Sequence, residues 1–129
     1  MADEVKTIVD EAIIAQVPSN IFNGEGEYSV VLNSRENVAS GSYAYAEGSG
    51  TIASGFFSHA EGSSSDAIGF CSHAEGSGDA VGAYSHAEGC ATDAIGDFSH
   101  AEGEFSVANG EHSHAEGFRT IASGDCSHA

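Results

Sequence analysis

From residue 43 onward the chain alternates small and large positions in bursts of five residues, each closed by glycine. The fullest form is Ser58-His59-Ala60-Glu61-Gly62, and the same string recurs from Ser72, Ser85, Ser99 and Ser113, with a further copy beginning at Ser127. A degenerate forerunner, Ala44-Tyr45-Ala46-Glu47-Gly48, precedes the first. The spacing is 14 residues, shortened to 13 between Ser72 and Ser85 around Ser77-Gly78-Asp79. Between copies lies a second burst of the same skeleton: Thr51-Ile52-Ala53-Ser54-Gly55, then Ser65-Asp66-Ala67-Ile68-Gly69, and later versions from Thr92, Ser106 and Thr120.

Period-two alternation is the signature of a strand, because successive side chains point to opposite faces. Each 14-residue coil therefore reads as two short (Ser/Thr)-x-Ala-x-Gly strands joined by two-residue corners. The hydroxyl and alanine of each strand face inward and the x residues face outward. Glycine at each strand end suits a corner that needs positive φ. Hydroxyls inside can satisfy corner backbone groups or form ladders. A fixed short period predicts stacked coils, so the expected fold is an all-β parallel β-solenoid, a thin β-roll of 14-residue coils.

The outward rows differ between the two strands of a coil. The first carries His then Glu: His59/Glu61, His73/Glu75, His86/Glu88, His100/Glu102 and His114/Glu116. The second carries about one branched apolar residue per coil: Ile52, Ile68, Val81, Ile95, Val107 and Ile121. Aromatic residues, including Tyr43, Phe56, Phe57, Phe70, Tyr84 and Phe98, gather at one corner. An exposed aliphatic stripe on so thin a body marks an assembly face, and threefold packing about the rod axis would bury it.

Composition strengthens the case for assembly. The 129 residues include 17 glycines and no tryptophan, and alanine supplies much of the apolar content. Burial is worth roughly 25 cal/mol per Å² of apolar surface, so an alanine core gains little from a single chain. The net charge of −17, with three basic residues in all, excludes nucleic acid and anionic membrane as partners. Cys71 and Cys126 fall at one phase of the repeat, four coils or ~19 Å apart at the usual strand spacing, beyond disulfide reach. With Cys90 at another corner, no disulfide framework is implied, and a reducing cytoplasm is the expected site of folding.

Residues 1–19 read differently. Val5, Ile8, Val9, Ala12 and Ile13 share one face at helical spacing, and Pro18 ends the segment. A helix this short is marginal alone and gains from a partner, which makes residues 1–19 an attachment segment. Residues 20–42 form a transition and capping coil with larger apolar residues, and 43–129 the repeat shaft. No basic and apolar leader opens the chain and no apolar run approaches 18 residues, so neither secretion by a standard signal nor membrane insertion is expected. The last copy stops within a repeat, which suggests that further repeats and a tip follow.

The (Ser/Thr)-x-Ala-x-Gly skeleton on a 14-residue coil resembles the head repeat of YadA-like trimeric adhesins, and Ser-His-Ala-Glu-Gly is similar to repeats of bacteriophage tail-fibre and appendage proteins. The resemblance spans about residues 29–129. It implies a left-handed β-roll and a homotrimer. It also implies a structural virion protein made in the host cytoplasm, docking to a baseplate or other tail protein by its N-terminus and reaching a host receptor through distal parts outside this chain. The competing reading is an adhesin-like module whose repeat surface binds a glycan, a matrix protein or a metal. An ice-binding face is disfavoured, because the outward rows are His and Glu rather than Thr.

The His and Glu rows invite a chemical reading. Catalysis needs convergent groups in a pocket, whereas these pairs recur along a flat face, so no enzyme is expected. Glu residues stacked one coil apart repel by nearly ~1 kcal/mol per pair even in water, and a protonated histidine or a divalent cation beside each would offset that. Protonating the row near pH 6 is accordingly expected to leave the rod no less stable than at pH 8. Beyond that possible cation ladder no cofactor is expected.

Overall fold

A computed structural model describes residues 21–34 and 36–129. The helical attachment segment, with Val5, Ile8, Val9, Ala12 and Ile13, lies outside the described residues. Among those described the protein is all β, with thirteen strands and no helix.

The chain winds into a parallel β-solenoid with two walls. The first wall stacks β2 (Val30–Leu32), β4 (Tyr45–Ser49), β6 (His59–Ser63), the first part of β8 (His73–Ala80), the first part of β9 (His86–Ala94), β10 (His100–Glu104) and β12 (His114–Phe118). The second stacks β3 (Val38–Ala39), β5 (Ile52–Ala53), β7 (Asp66–Ala67), the second parts of β8 and β9, β11 (Val107–Ala108) and β13 (Ile121–Ala122). Every pairing along both walls is parallel, and each repeat position stands over itself: His59 over His73, Ala60 over Ala74, Glu61 over Glu75.

The core is as small as the alternation predicts. Ala46, Ala60, Ala74, Ala87, Ala101 and Ala115 from one wall meet Ala53, Ala67, Ala80, Ala94 and Ala108 from the other, all fully buried. Ser58, Ser65, Ser85 and Ser113 are buried beside them, and their hydroxyls turn back onto carbonyls rather than stacking into ladders. Ser58 Oγ donates to Gly55 O at 2.7 Å and Ser65 Oγ to Glu61 O at 2.7 Å. Thr120 Oγ1 donating to Ser106 Oγ at 3.0 Å is the coil-to-coil exception. A hydroxyl buried this way keeps its hydrogen bond, whereas those of Ser72, Thr92 and Ser99 are buried without a partner.

Glycine plays two parts where one was expected. In the row of Gly62 (φ 110°) the backbone does enter the left-handed region. In the row of Gly55 it does not: the positive φ falls two residues later, on Phe57 (φ 58°), and the same holds at Tyr43, Cys71, Tyr84, Phe98, His112 and Cys126. Gly55 is glycine for space, since a Cβ there would overlap the Gly69 carbonyl oxygen of the next coil. The corner closes as a turn in which Ser58 N–H donates to Gly55 O at 3.3 Å.

The transition region caps the first coil. β1 (Ile21–Asn23) runs antiparallel to β2, in contrast to all the parallel pairings. Val31 takes the inward alanine position and Phe22 packs against the core. Asn37 stands where later coils have Ser or Thr, and its amide donates to Leu32 O (2.8 Å) and Gly48 O (3.0 Å) while its oxygen accepts from Thr51 N–H (3.0 Å). The 13-residue coil is absorbed within β8: Gly78 takes the hydroxyl position, and a Cβ there would crowd Thr92 Oγ1 at 2.5 Å.

Candidate functional site: the His–Glu ladder

His and Glu two residues apart on a strand leave on the same side, and in-register parallel stacking repeats them coil after coil. The imidazoles of His59, His73, His86, His100, His114 and His128 form one column with neighbouring ring centroids 4.6–4.9 Å apart and planes within 16° of parallel. His128, joined to His114 by an isolated parallel bridge, extends the row by one ring beyond those singled out from sequence.

The carboxylates interleave with this column. Glu75 Oε2 lies 3.9 Å from Nε2 of His73 in its own coil, and Glu75 Oε1 lies 3.9 Å from Nε2 of His86 in the next. Glu61, Glu88, Glu102 and Glu116 repeat the arrangement at 3.6–3.9 Å, making an unbroken zigzag from His59 to His128. These separations exceed hydrogen-bond length. The Nε2 atoms of His59, His73, His86, His100 and His114 are out of contact with solvent and make no hydrogen bond. Tyr45 takes the histidine position at the first end; its ring meets His59 edge-on at 4.8 Å and its hydroxyl donates to Glu47 Oε2 at 2.8 Å. Burial first, then that hydrogen bond, push the Tyr45 phenol up to about 12.

Titration follows the stacking. Burial first, and then the neighbouring imidazoles, hold His73 and His100 below the ordinary histidine range, against the pull of nearby glutamates. Glu61 is held below the carboxylate range, first by hydrogen bonding to the carboxyl groups of Glu47 and Glu75 and then by His59 and His73. His73 and His100 are thus favoured neutral and Glu61 ionised, the reverse of a ladder relieved by protonation. A shallow groove floored by Gly89, Gly103 and Gly117 runs beside the Glu75, Glu88, Glu102 and Glu116 carboxylates.

The six aliphatic residues expected at a trimer interface do lie on the outer face of the second wall, but in two rows rather than one. Ile52, Val107 and Ile121 share a row with Asp66, Asp79 and Asp93. Ile68, Val81 and Ile95 occupy the position two residues on, in the coils where Asp fills the first. The aspartates stand directly over one another, and burial first, then the charge of Asp79, raises the carboxyls of Asp66 and Asp93. This acidic row was not anticipated, although Asp at three successive first-x positions signals it.

The corner aromatics form a second column. Tyr28, Tyr43, Phe57, Phe70, Tyr84, Phe98 and His112 are joined by ring contacts of 4.9–6.0 Å, and the Tyr and Phe rings remain 42–70% exposed. Phe70 enters from the neighbouring corner position because Cys71 holds the usual one. At the opposite corner Arg119 covers the rings of Phe118 and Phe105 at 5.0 and 5.8 Å. Cys71, Cys90 and Cys126 are free thiols. No described helix is long and apolar enough to cross a membrane. No protein-family model and no curated protein matches the chain.

Proposed function

We propose that this chain is the proximal shaft of a trimeric tail fibre of a phage or phage-like particle, a structural protein rather than an enzyme. In this reading residues 1–19 form a helix that docks to a baseplate, left-handed coils carry host-recognition parts outward, and three chains share the rod axis. The observation that supports it most is the in-register stacking of both walls, which makes a rod of constant rise while leaving aliphatic positions of the second wall's outer face with no cover in a single chain. Ile68, Val81 and Ile95 are 41–47% exposed, and the Tyr and Phe rings of the corner column 42–70%. An alanine core supplies little burial of its own, and association would cover these rows.

Light scattering with sedimentation tests the assembly. A mass of three chains in an elongated body is expected, and a compact monomer overturns it. Antibody raised against the coils, bound to tail fibres of intact particles in electron micrographs, tests the location; labelling confined to other structures overturns that part.

A further inference from the structure

We infer that the His–Glu zigzag is a one-dimensional array of divalent transition-metal sites, one at each interior ring: His73, His86, His100 and His114. Each of these Nε2 atoms has a carboxylate oxygen of its own coil and one of the preceding coil at 3.8–3.9 Å. That distance is too long for a hydrogen bond and a few tenths of an ångström wider than two ligands of one tetrahedral ion, with metal–ligand bonds near ~2.1 Å, stand apart. In the three successive sets His59–Glu61–His73, His73–Glu75–His86 and His86–Glu88–His100, and again in His114–Glu116–His128, potential ligand atoms lie within 4.8 Å of one another.

The direction of the lone pairs decides how an ion is held. Parallel rings one coil apart aim their Nε2 lone pairs side by side, so two imidazoles do not converge on one ion. One ring and the two carboxylates flanking it do. Each glutamate then bridges successive ions through its two oxygens, and the groove along the carboxylates admits the water that completes the shell. The buried, unpartnered Nε2 atoms are the second observation: an imidazole nitrogen withdrawn from solvent without a partner is costly. One nitrogen with two carboxylate oxygens suits an ion of the zinc class, whereas calcium takes six to eight oxygens. Bound ions neutralise the stacked glutamates and tie adjacent coils together. The inference stands whether or not the rod is a fibre shaft.

Zinc ion is the probe. The full chain, stripped of metal with its thiols alkylated, is titrated at neutral pH, with calcium ion in parallel. The array predicts uptake of about four zinc ions per chain, a raised melting temperature, and no matching effect of calcium. The E75Q/E88Q variant removes a ligand from the His73, His86 and His100 sites and leaves that of His114, so its uptake falls to about one. X-ray absorption of the zinc-loaded parent, which needs no variant to fold, is expected to show imidazole in the shell. Failure to take up zinc, equal uptake by E75Q/E88Q, or a shell without imidazole each overturns the array.

Discussion

The ring of Phe57 lies 5.0 Å from that of Tyr43 and within 9° of parallel to it, while the Phe57 backbone holds a left-handed φ of 58°. The two facts belong together. A side chain in that region costs roughly 1–2 kcal/mol, and stacking contributes about 0.5–1.5 kcal/mol beyond simple burial. The column of rings thus offsets the strain of the corner that displays it.

Cys71 carries the same strain without a ring contact, since Phe70 fills its place in the column. Cys71→Gly is expected to raise stability by up to about 1 kcal/mol, the left-handed penalty less the entropy of an added glycine. Phe57→Gly, which also removes ring contacts, is expected to gain nothing or to lose. Paired denaturant melts decide it, and equal gains from both would remove the compensating role of the column.

Ala87 is fully buried, with Ala74 and Ala101 directly below and above it. Ala87→Val has no room to expand into and is expected to cost about 1–3 kcal/mol. Chemical denaturation measures this, and a neutral outcome would mean that the walls separate more easily than their spacing implies.

Burial and Asp79 raise Asp93 above its ordinary 3.8. A raised carboxyl adds stability that is fully present below the unfolded value and lost as pH rises through the folded one. At neutral pH the ionised row therefore weakens the rod. Asp93→Asn is expected to raise the melting temperature at pH 7 and to change it little at pH 3; a gain of equal size at both would exclude titration as the cause.

His73 and His100 are shifted the other way, below 6.5. Their contribution is present above 6.5 and lost as pH falls through the folded value. The metal-free protein is therefore expected to melt lower at pH 5 than at pH 7.5, whereas the charge pattern alone leads one to expect a rod no less stable near pH 6 than at pH 8. A His73→Gln/His100→Gln variant should flatten that slope, and an unchanged slope would assign it elsewhere.

Much of this architecture was legible in the repeat. The inward alanines, the outward His–Glu pairs and the two strands per coil all follow from alternation, because a period of two assigns faces without further information. What stayed hidden depends on distances between coils. Gly55 and Gly62 look alike in sequence, yet while a Cβ on either would overlap the glycine of the next coil, only Gly62 also holds a left-handed φ. The aliphatic residues read as a single stripe because the skeleton offers two outward positions per strand, and only the pairing of Asp66 with Ile52 shows the shift of row. The interleaving of carboxylates between rings depends on side-chain rotamers, which alternation does not specify.

Because each coil bonds only to the coils beside it, the molecule has no global closure to preserve. Duplication or loss of one repeat unit changes reach by a single step of ~4.8 Å and leaves every other junction as it was. Length in such a protein is a digital quantity, open to adjustment by recombination between near-identical units, and new spans can arise without any new interface having to be invented.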